Sequence, residues 1–565
     1  MSKRFLVAIG LTSSVLLLSA SAKAHAQAPR FQVTVPASVR STPLTGRVTV
    51  VITKSAEPEP RLAISPRGVA IYAVDAEQLA PGKAAILTDT AVGFPMPLSK
   101  LPKGEYYAQA VINVYEQVKR SDGHTMWLPM NDGQIDFYSV RAGNLYSDVQ
   151  KITVGAGGVV QLAASKVIPE SPKPADTDWI KHVSIQSQML TKFWGRPIFV
   201  HATVLLPRGF NEHPEVRYPA IYALGHGNAP FNFNPNPPRA GATPPRTEVR
   251  RGQTINPVSG VESGNDFYKA WIADSFPRVV AITLAQQTPY FPDSYSVNSA
   301  NNGPYGDAIV QEVMPALEER FRLIRNSYAR HVEGASTSGW QSLALQLQHP
   351  DFFGGAWVLQ PDPIDFRHYG LSNIYSDTNA FVIPTGVFTT AERVFQRTVE
   401  GQPVTSMREL SLFEEVLGSR GRSGYQLGAW EAVYGPVGAD GYPVPLWNKR
   451  TGTIDPKVAT YMKEHGYDLR DFAEKNWATI GPKVVGKLHF FAGDMDDYQL
   501  NLAVYRFEQF LANTTNPHYT GDFTYGRPTK GHSWHSYTWA EMVRMIADST
   551  AAKAPAGENT KSWKY

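Results

Sequence analysis

The chain contains no cysteine. Disulfides, thiolate metal ligands and a cysteine nucleophile are therefore excluded, so stability rests on packing and any covalent catalysis on another residue. Charge is scarce as well: Asp, Glu, Lys and Arg make up 18% of the 565 residues, and the formal net charge is +4. That balance supplies no concentrated basic face of the kind a nucleic-acid binder needs to release counterions. Beyond the first residues there is no long apolar run, so no later segment is expected to span a bilayer. Hydrophobic residues still account for 42% of the chain, enough for a large core and against overall disorder. The 45 glycines and 43 prolines point to many turns and long surface loops.

At the start, Lys3 and Arg4 precede an apolar run from Phe5 to Leu18, and small residues follow at Ala22, Ala24, Ala26 and Ala28. This is the order of a secretory signal peptide over residues 1–28, with cleavage expected after Ala28. The run is interrupted by Thr12, Ser13 and Ser14 and falls short of the ~20 residues that cross hydrocarbon. The mature chain is expected in the periplasm or outside the cell, without stable membrane insertion.

Residues 29–166 show short strands, FQVTV, RVTVVITK, GVAIYAV, EYYAQAVINVY and QIDFYSV, between segments rich in Pro, Gly, Ser and Asp. In the fourth, Tyr106, Ala108, Ala110, Ile112 and Val114 share one face at period two, as in a half-buried antiparallel strand. An all-β, immunoglobulin-like sandwich is expected here. The polar, Pro-rich VIPESPKPADTD opens a linker over 167–180. From 181 to 550 the texture changes to strands alternating with helices, the pattern of a mostly parallel sheet covered on both faces. Between about Asp362 and Pro482 an aromatic-rich stretch fits that pattern poorly and reads as an inserted cap. The small, polar residues of 551–565 read as a mobile tail.

The most informative segment is HVEGASTSGW, from His331 to Trp340. A sharp strand-to-helix turn that lifts a serine out of a sheet needs neighbours without bulk two residues before and after it. Gly334 meets the first demand for Ser336; Ser338 stands where the second glycine is usual. Taking Ser338 as nucleophile instead would put Ser336 and Trp340 at the flanks, which is sterically worse. The plainer alternative is an ordinary helix cap, and the polar residues Arg330 to Glu333 are unusual for a central strand. A serine nucleophile requires a base and a group that orients the base. Late in the chain, GHSWH offers His532 and His535, and AGDMDDYQL after the strand KLHFF offers Asp494, Asp496 and Asp497. The HxxH spacing of the two histidines lacks the glutamate of a zinc motif, so no metal or other cofactor is expected. The N–H of Thr337, at the start of the helix after Ser336, is one candidate oxyanion donor, and the loop after YPAIYALG is expected to hold the other.

The ordered segments FWGRPIFVHATVLLPRGF, YPAIYALGHG, NNGPYGDAIVQEVMPALEERFRL, QHPDFFGG, KLHFFAGDMDDYQL and KGHSWHSYTW carry a likeness. From about Gln186 to Asp548 the chain resembles the esterase D-like esterase family of the α/β-hydrolase superfamily. The resemblance implies an α/β-hydrolase domain with two antiparallel opening strands. It implies His532, which directly follows Gly531, as the base, and Asp496, three residues after Gly493, as the acid. It also implies that the N–H of Gly227 or Asn228, in the GHGN turn, completes the oxyanion hole. The expected activity is hydrolysis of a carboxylic ester, small or glycan-linked, through an acyl-enzyme on Ser336. An acyltransferase of the same fold and a non-catalytic carbohydrate-binding protein are the alternatives. Arg239, Arg246, Arg250 and Arg251 in the following loop, the run PYFPDSY and the cap aromatics are candidate substrate contacts, the arginines for an acidic group and the aromatics for stacking, with solvated loop and plain core as the simpler readings. Nothing in the sequence selects an ester or an oligomeric state.

Overall fold

The computed structural model describes residues 29–130, 137–155, 157–225, 229–237, 262–532 and 534–565. The expected signal peptide, the four loop arginines, and Gly227 and Asn228 lie outside the described residues.

The N-terminal part is all β. Three strands (Val159–Ala163, Arg30–Thr34 and Ala84–Leu87) form one sheet, and a seven-stranded sheet is built around Leu44–Thr53, Ala70–Leu79 and Gly104–Val114. Phe31, Val33, Val48, Val50, Tyr106, Ala108, Ala110 and Ile112 share one core. The period-two face of Gly104–Val114 thus points where expected, but the strand is not half-buried. Its other face is covered too: Val111, with Val51, Ile71, Ala73 and Phe94, joins the core of the C-terminal part. The fifth expected strand, QIDFYSV, lies partly outside the described residues, and its remainder, 137–140, ends in a turn. Docking of the two parts is polar as well as apolar. The buried Arg47 donates from Nε to the carbonyl of Val416 (3.1 Å) and from Nη2 to that of Glu415 (2.8 Å) while pairing with Asp75 at 3.2 Å. Both carbonyls lie in the last turn of the helix Met407–Leu417, where a cation satisfies unpaired acceptors and the negative end of the helix dipole.

The C-terminal part is organised by one eight-stranded sheet: β1 (Ile180–Ser187), β2 (Ile198–Leu205), β3 (Ala220–Ala223), β4 (Val280–Ala285), β5 (Arg330–Ala335), β6 (Gly355–Leu359), β7 (Leu488–Gly493) and β8 (Asp522–Gly526). Their spatial order is β1-β2-β4-β3-β5-β6-β7-β8. The pairs β1–β2 and β2–β4 are antiparallel and the remaining five are parallel. The opening strand β1 lies before FWGRPIFVHATVLLPRGF, which holds only β2. As an edge strand with mixed burial, IKHVSIQS gives little periodic signal.

Five helices matter for the site: α1 (Thr337–Gln348), α2 (Met407–Leu417), α3 (Gln426–Tyr434), α4 (Leu469–Val484) and α5 (Trp539–Lys553). Helix α4 packs on α1 and returns the chain towards β7, so the insertion between β6 and β7 gives way to sheet-covering structure at Leu469 rather than after Pro482. Pro482 sits inside the last turn of α4 and does not end it. The last residues are not a free tail. Trp563 is buried, its carbonyl accepts from Arg278 N–H at 3.0 Å, and the Tyr565 hydroxyl lies 2.8 Å from that of Tyr218. Two aromatic anchors outweigh the polar residues around them. Among the described residues no helix is long and apolar enough to cross a membrane.

The polar residues of β5 are accommodated individually. Arg330 pairs with the buried Glu318, and His331 Nε2 meets the Thr550 hydroxyl of α5 at 2.7 Å and the Tyr328 carbonyl at 3.0 Å. Burial pushes the Glu333 carboxyl up to about 8.

Candidate active site

Ser336 sits between β5 and α1 with φ 60° and ψ −121°, a conformation that costs a non-glycine residue on the order of 1–3 kcal/mol and persists only when the surroundings enforce it. They do so through the backbone. Ser336 N–H donates to the Leu359 carbonyl at 3.0 Å, and the Ser336 carbonyl accepts from Trp340 N–H and Asp362 N–H, each at 3.1 Å. The turn is tightest at two glycines. A Cβ on Gly334 would stand 2.7 Å from the backbone carbonyl of Ser338, and one on Gly339 would stand 2.6 Å from the Leu359 oxygen. Ser338 fits because Gly334 faces it without a side chain. It is buried within α1, whereas Ser336 keeps partial exposure. Thr337 opens α1, so its N–H belongs to the helix's unpaired first-turn donors.

Two loops at the far side of the sheet bring His532 and Asp496 together. Gly493, at the end of β7, is the point of closest approach: a Cβ there would fall 2.5 Å from the Gly531 oxygen. Met495 N–H then bonds the Lys530 carbonyl at 2.9 Å. Fully buried Asp496 accepts from Tyr498 N–H (2.8 Å) and Leu500 N–H (3.2 Å) on Oδ1, and from His532 Nδ1 (2.7 Å) on Oδ2. This holds the tautomer with Nε2 free as an acceptor. Arg397 backs the loop, donating from Nε to the Asp496 carbonyl at 3.0 Å and from N–H to that of Asp497 at 2.8 Å. The other aspartates are engaged elsewhere. Asp494 pairs with Arg527 at 2.5 Å and accepts from the Tyr505 hydroxyl, and Asp497 accepts from the backbone N–H of His532 at 3.4 Å. His535 donates from Nδ1 to the Tyr537 carbonyl. Burial works against a charged His532, but Asp496, by charge and hydrogen bond, and then Asp362 and Asp497 outweigh it, and the imidazole pKa lies above its ordinary value.

Asp362 reads in the sequence only as the first residue of the cap, and its place in the site is not foreseen. It lies three residues beyond β6, at the carboxyl end of the sheet where sites of such folds gather, and that position was the available signal. The Ser336 hydroxyl donates to its Oδ1 at 3.3 Å. Its Oδ2 accepts from Tyr295 OH (2.7 Å), Gln426 Nε2 (2.9 Å), Thr337 Oγ1 (3.1 Å) and Trp430 Nε1 (3.3 Å). Burial raises the Asp362 pKa, opposed by these donors and by His532. Ser336 is thus joined to Asp362, and His532 to Asp496; among the described residues no hydrogen bond joins Ser336 to His532. The aromatics expected to offer stacking surfaces are mostly covered. Tyr290, Tyr295, Trp430 and Tyr434 are buried, and Tyr295 and Trp430 serve as donors around Asp362.

No protein-family model matches the chain, and no curated protein matches it. Solved structures similar to it include a ferulic acid esterase, at 15% identity and TM-score 0.31, covering 66% of this chain and 98% of that one. An S-formylglutathione hydrolase from Agrobacterium tumefaciens is similar at 12% identity and TM-score 0.32, covering 65% of this chain and 94% of that one. MPT51 of Mycobacterium tuberculosis is similar at 12% identity and TM-score 0.32, covering 66% of this chain and 99% of that one.

Proposed function

We propose that the mature chain is an exported serine hydrolase of the α/β-hydrolase type that cleaves a carboxylic ester through an acyl-enzyme, with an immunoglobulin-like domain docked beside it. The observation that carries this reading is the positive-φ serine at the strand-to-helix turn of a sheet whose later loops hold a His–Asp pair at 2.7 Å. Ser336 Oγ attacks the carbonyl carbon as its proton passes to His532 Nε2. Asp496 holds the imidazole and stabilises its charged form. The N–H of Thr337, with that of Gly227 or Asn228, receives the developing oxyanion, each donor being worth about 2.7–4 kcal/mol in such sites. The C–O bond to the alcohol then breaks, His532 returns the proton to the leaving oxygen, and water repeats the sequence to release the acid.

The test is a panel of short-chain, feruloyl and acetylated-sugar esters, assayed with and without an added sugar or alcohol acceptor. Hydrolysis of one class that is lost in Ser336→Ala supports the reading; acyl transfer in preference to hydrolysis assigns the transferase alternative. One observation favours a different reading, a glycan-binding protein that keeps the fold: the Ser336 hydroxyl engages Asp362, not His532. Glycan binding retained in Ser336→Ala, with no ester cleaved, would select it.

A further inference from the structure

Asp362 is a buried carboxylate, 4% exposed, with two unequal oxygens. Four side-chain donors from three separate segments, around Tyr295, the start of α1 and helix α3, converge on Oδ2. That saturates one oxygen and offsets part of the burial that raises the carboxyl's pKa. Among the described residues Oδ1 has a single partner, the Ser336 hydroxyl, at a distance longer than the usual O–H···O range of about 2.5–3.0 Å. Among the described residues no Lys or Arg forms an ion pair with Asp362. A buried charge in this state is costly unless a partner arrives. Its place cannot drift, because the Asp362 N–H is bonded to the Ser336 carbonyl and the next strand fixes Ser336 N–H.

We propose that Asp362 is a specificity-determining residue whose Oδ1 takes a hydrogen bond from a hydroxyl or ammonium group on the substrate carbon adjacent to the scissile carbonyl. The proposal rests on reading Ser336 as the nucleophile. Reacting atoms approach to about 3–3.5 Å before attack. A substituent on the neighbouring carbon then lies within hydrogen-bond reach of an oxygen 3.3 Å from Oγ. The same donor displaces the Ser336 hydroxyl from Asp362 and frees its proton for His532. A cationic donor also offsets the repulsion between this carboxylate and the oxyanion. Simple acyl esters leave Oδ1 unpaired in a closed site, and sites built around such a bond reject substrates that lack it.

The ethyl esters of propionic acid, lactic acid and alanine share a three-carbon acyl skeleton and differ at that one substituent. The expected result is a kcat/KM for the lactate or alanine ester at least about 100-fold above that for propionate, the better of the two telling hydroxyl from ammonium. In Asp362→Asn the ratio for the alanine ester collapses. Equal values for the three esters in the native protein, or a ratio unchanged in a folded Asp362→Asn, would overturn the proposal; an equal loss on all three esters would assign Asp362 to positioning Ser336. A second measurement is independent of turnover: calorimetry on Ser336→Ala should show the donor-bearing esters binding at least about tenfold tighter than propionate, and no difference there overturns the proposal as well. If no ester is cleaved while that binding difference persists, the hydrolase reading fails and the recognition site stands.

Discussion

His532 donates to Asp496 across 2.7 Å from a loop that reaches it only because Gly493 has no side chain. Asp496 in turn spends its other oxygen on two backbone N–H groups, so it is oriented before the imidazole arrives. Asp496→Asn should keep this framework yet favour the wrong imidazole tautomer. Its kcat is expected to fall by about 10⁴-fold with little change in KM. Asp494→Asn, which disturbs the contacts with Arg527 and the Tyr505 hydroxyl, should leave kcat within a few-fold. Steady-state kinetics on an ester found in the panel decides between the two aspartates.

The pH profile follows from the groups that face His532. Asp496, Asp362 and Asp497 together outweigh burial and raise its pKa. The imidazole acts as a base only when neutral, so kcat/KM should fall as pH drops through that raised value, above the ordinary 6.5. Asp362→Asn removes one of the carboxylates that favour the charged form, and its acidic limb should move to lower pH. A limb that stays in place would show that Asp362 exerts no field on the base.

How far the sequence could be read depended on whether a contact was local. Gly334, Ser336 and the helix after them are consecutive, and strand-turn-helix texture exposed them. The contact between Asp496 and His532 was legible through a glycine spacing carried by resemblance. Asp362 was not, because its meaning comes from Tyr295, Gln426 and Trp430, scattered over separate segments whose convergence no periodicity records. The polar strand β5 misled for the same reason, since the partners of Arg330 and His331 lie on other elements. The tail was misjudged because composition averages away Trp563 and Tyr565, which are the residues that dock.

The turn itself makes a steric prediction. Gly334→Ala places a methyl group against the backbone of Ser338, an overpacking that typically costs about 1–3 kcal/mol. Thermal unfolding should fall accordingly, and esterase activity should fall further than stability. Ser338→Gly, by contrast, removes a side chain from a site already relieved by Gly334 and should preserve activity. Comparable losses in both variants would contradict this account of the turn.

Arg47 links the β part to the last turn of α2. Arg47→Met strands the carbonyls of Glu415 and Val416 and leaves Asp75 to Ser419 and Arg422, for a loss of about 2 kcal/mol in urea unfolding. Arg47→Lys, a point charge without the fork that spans two carbonyls, should recover only part of it. Full recovery by Lys would show that charge alone, not the forked geometry, holds the two parts together.

In the proposed reaction Ser336 is a nucleophile activated by His532. Labelling the folded protein with a fluorophosphonate and mapping the adduct by mass spectrometry tests it directly. The expected result is a single adduct on the peptide carrying Ser336, formed slowly or not at all in His532→Ala. A folded protein that takes no label, or takes it on another serine, contradicts it.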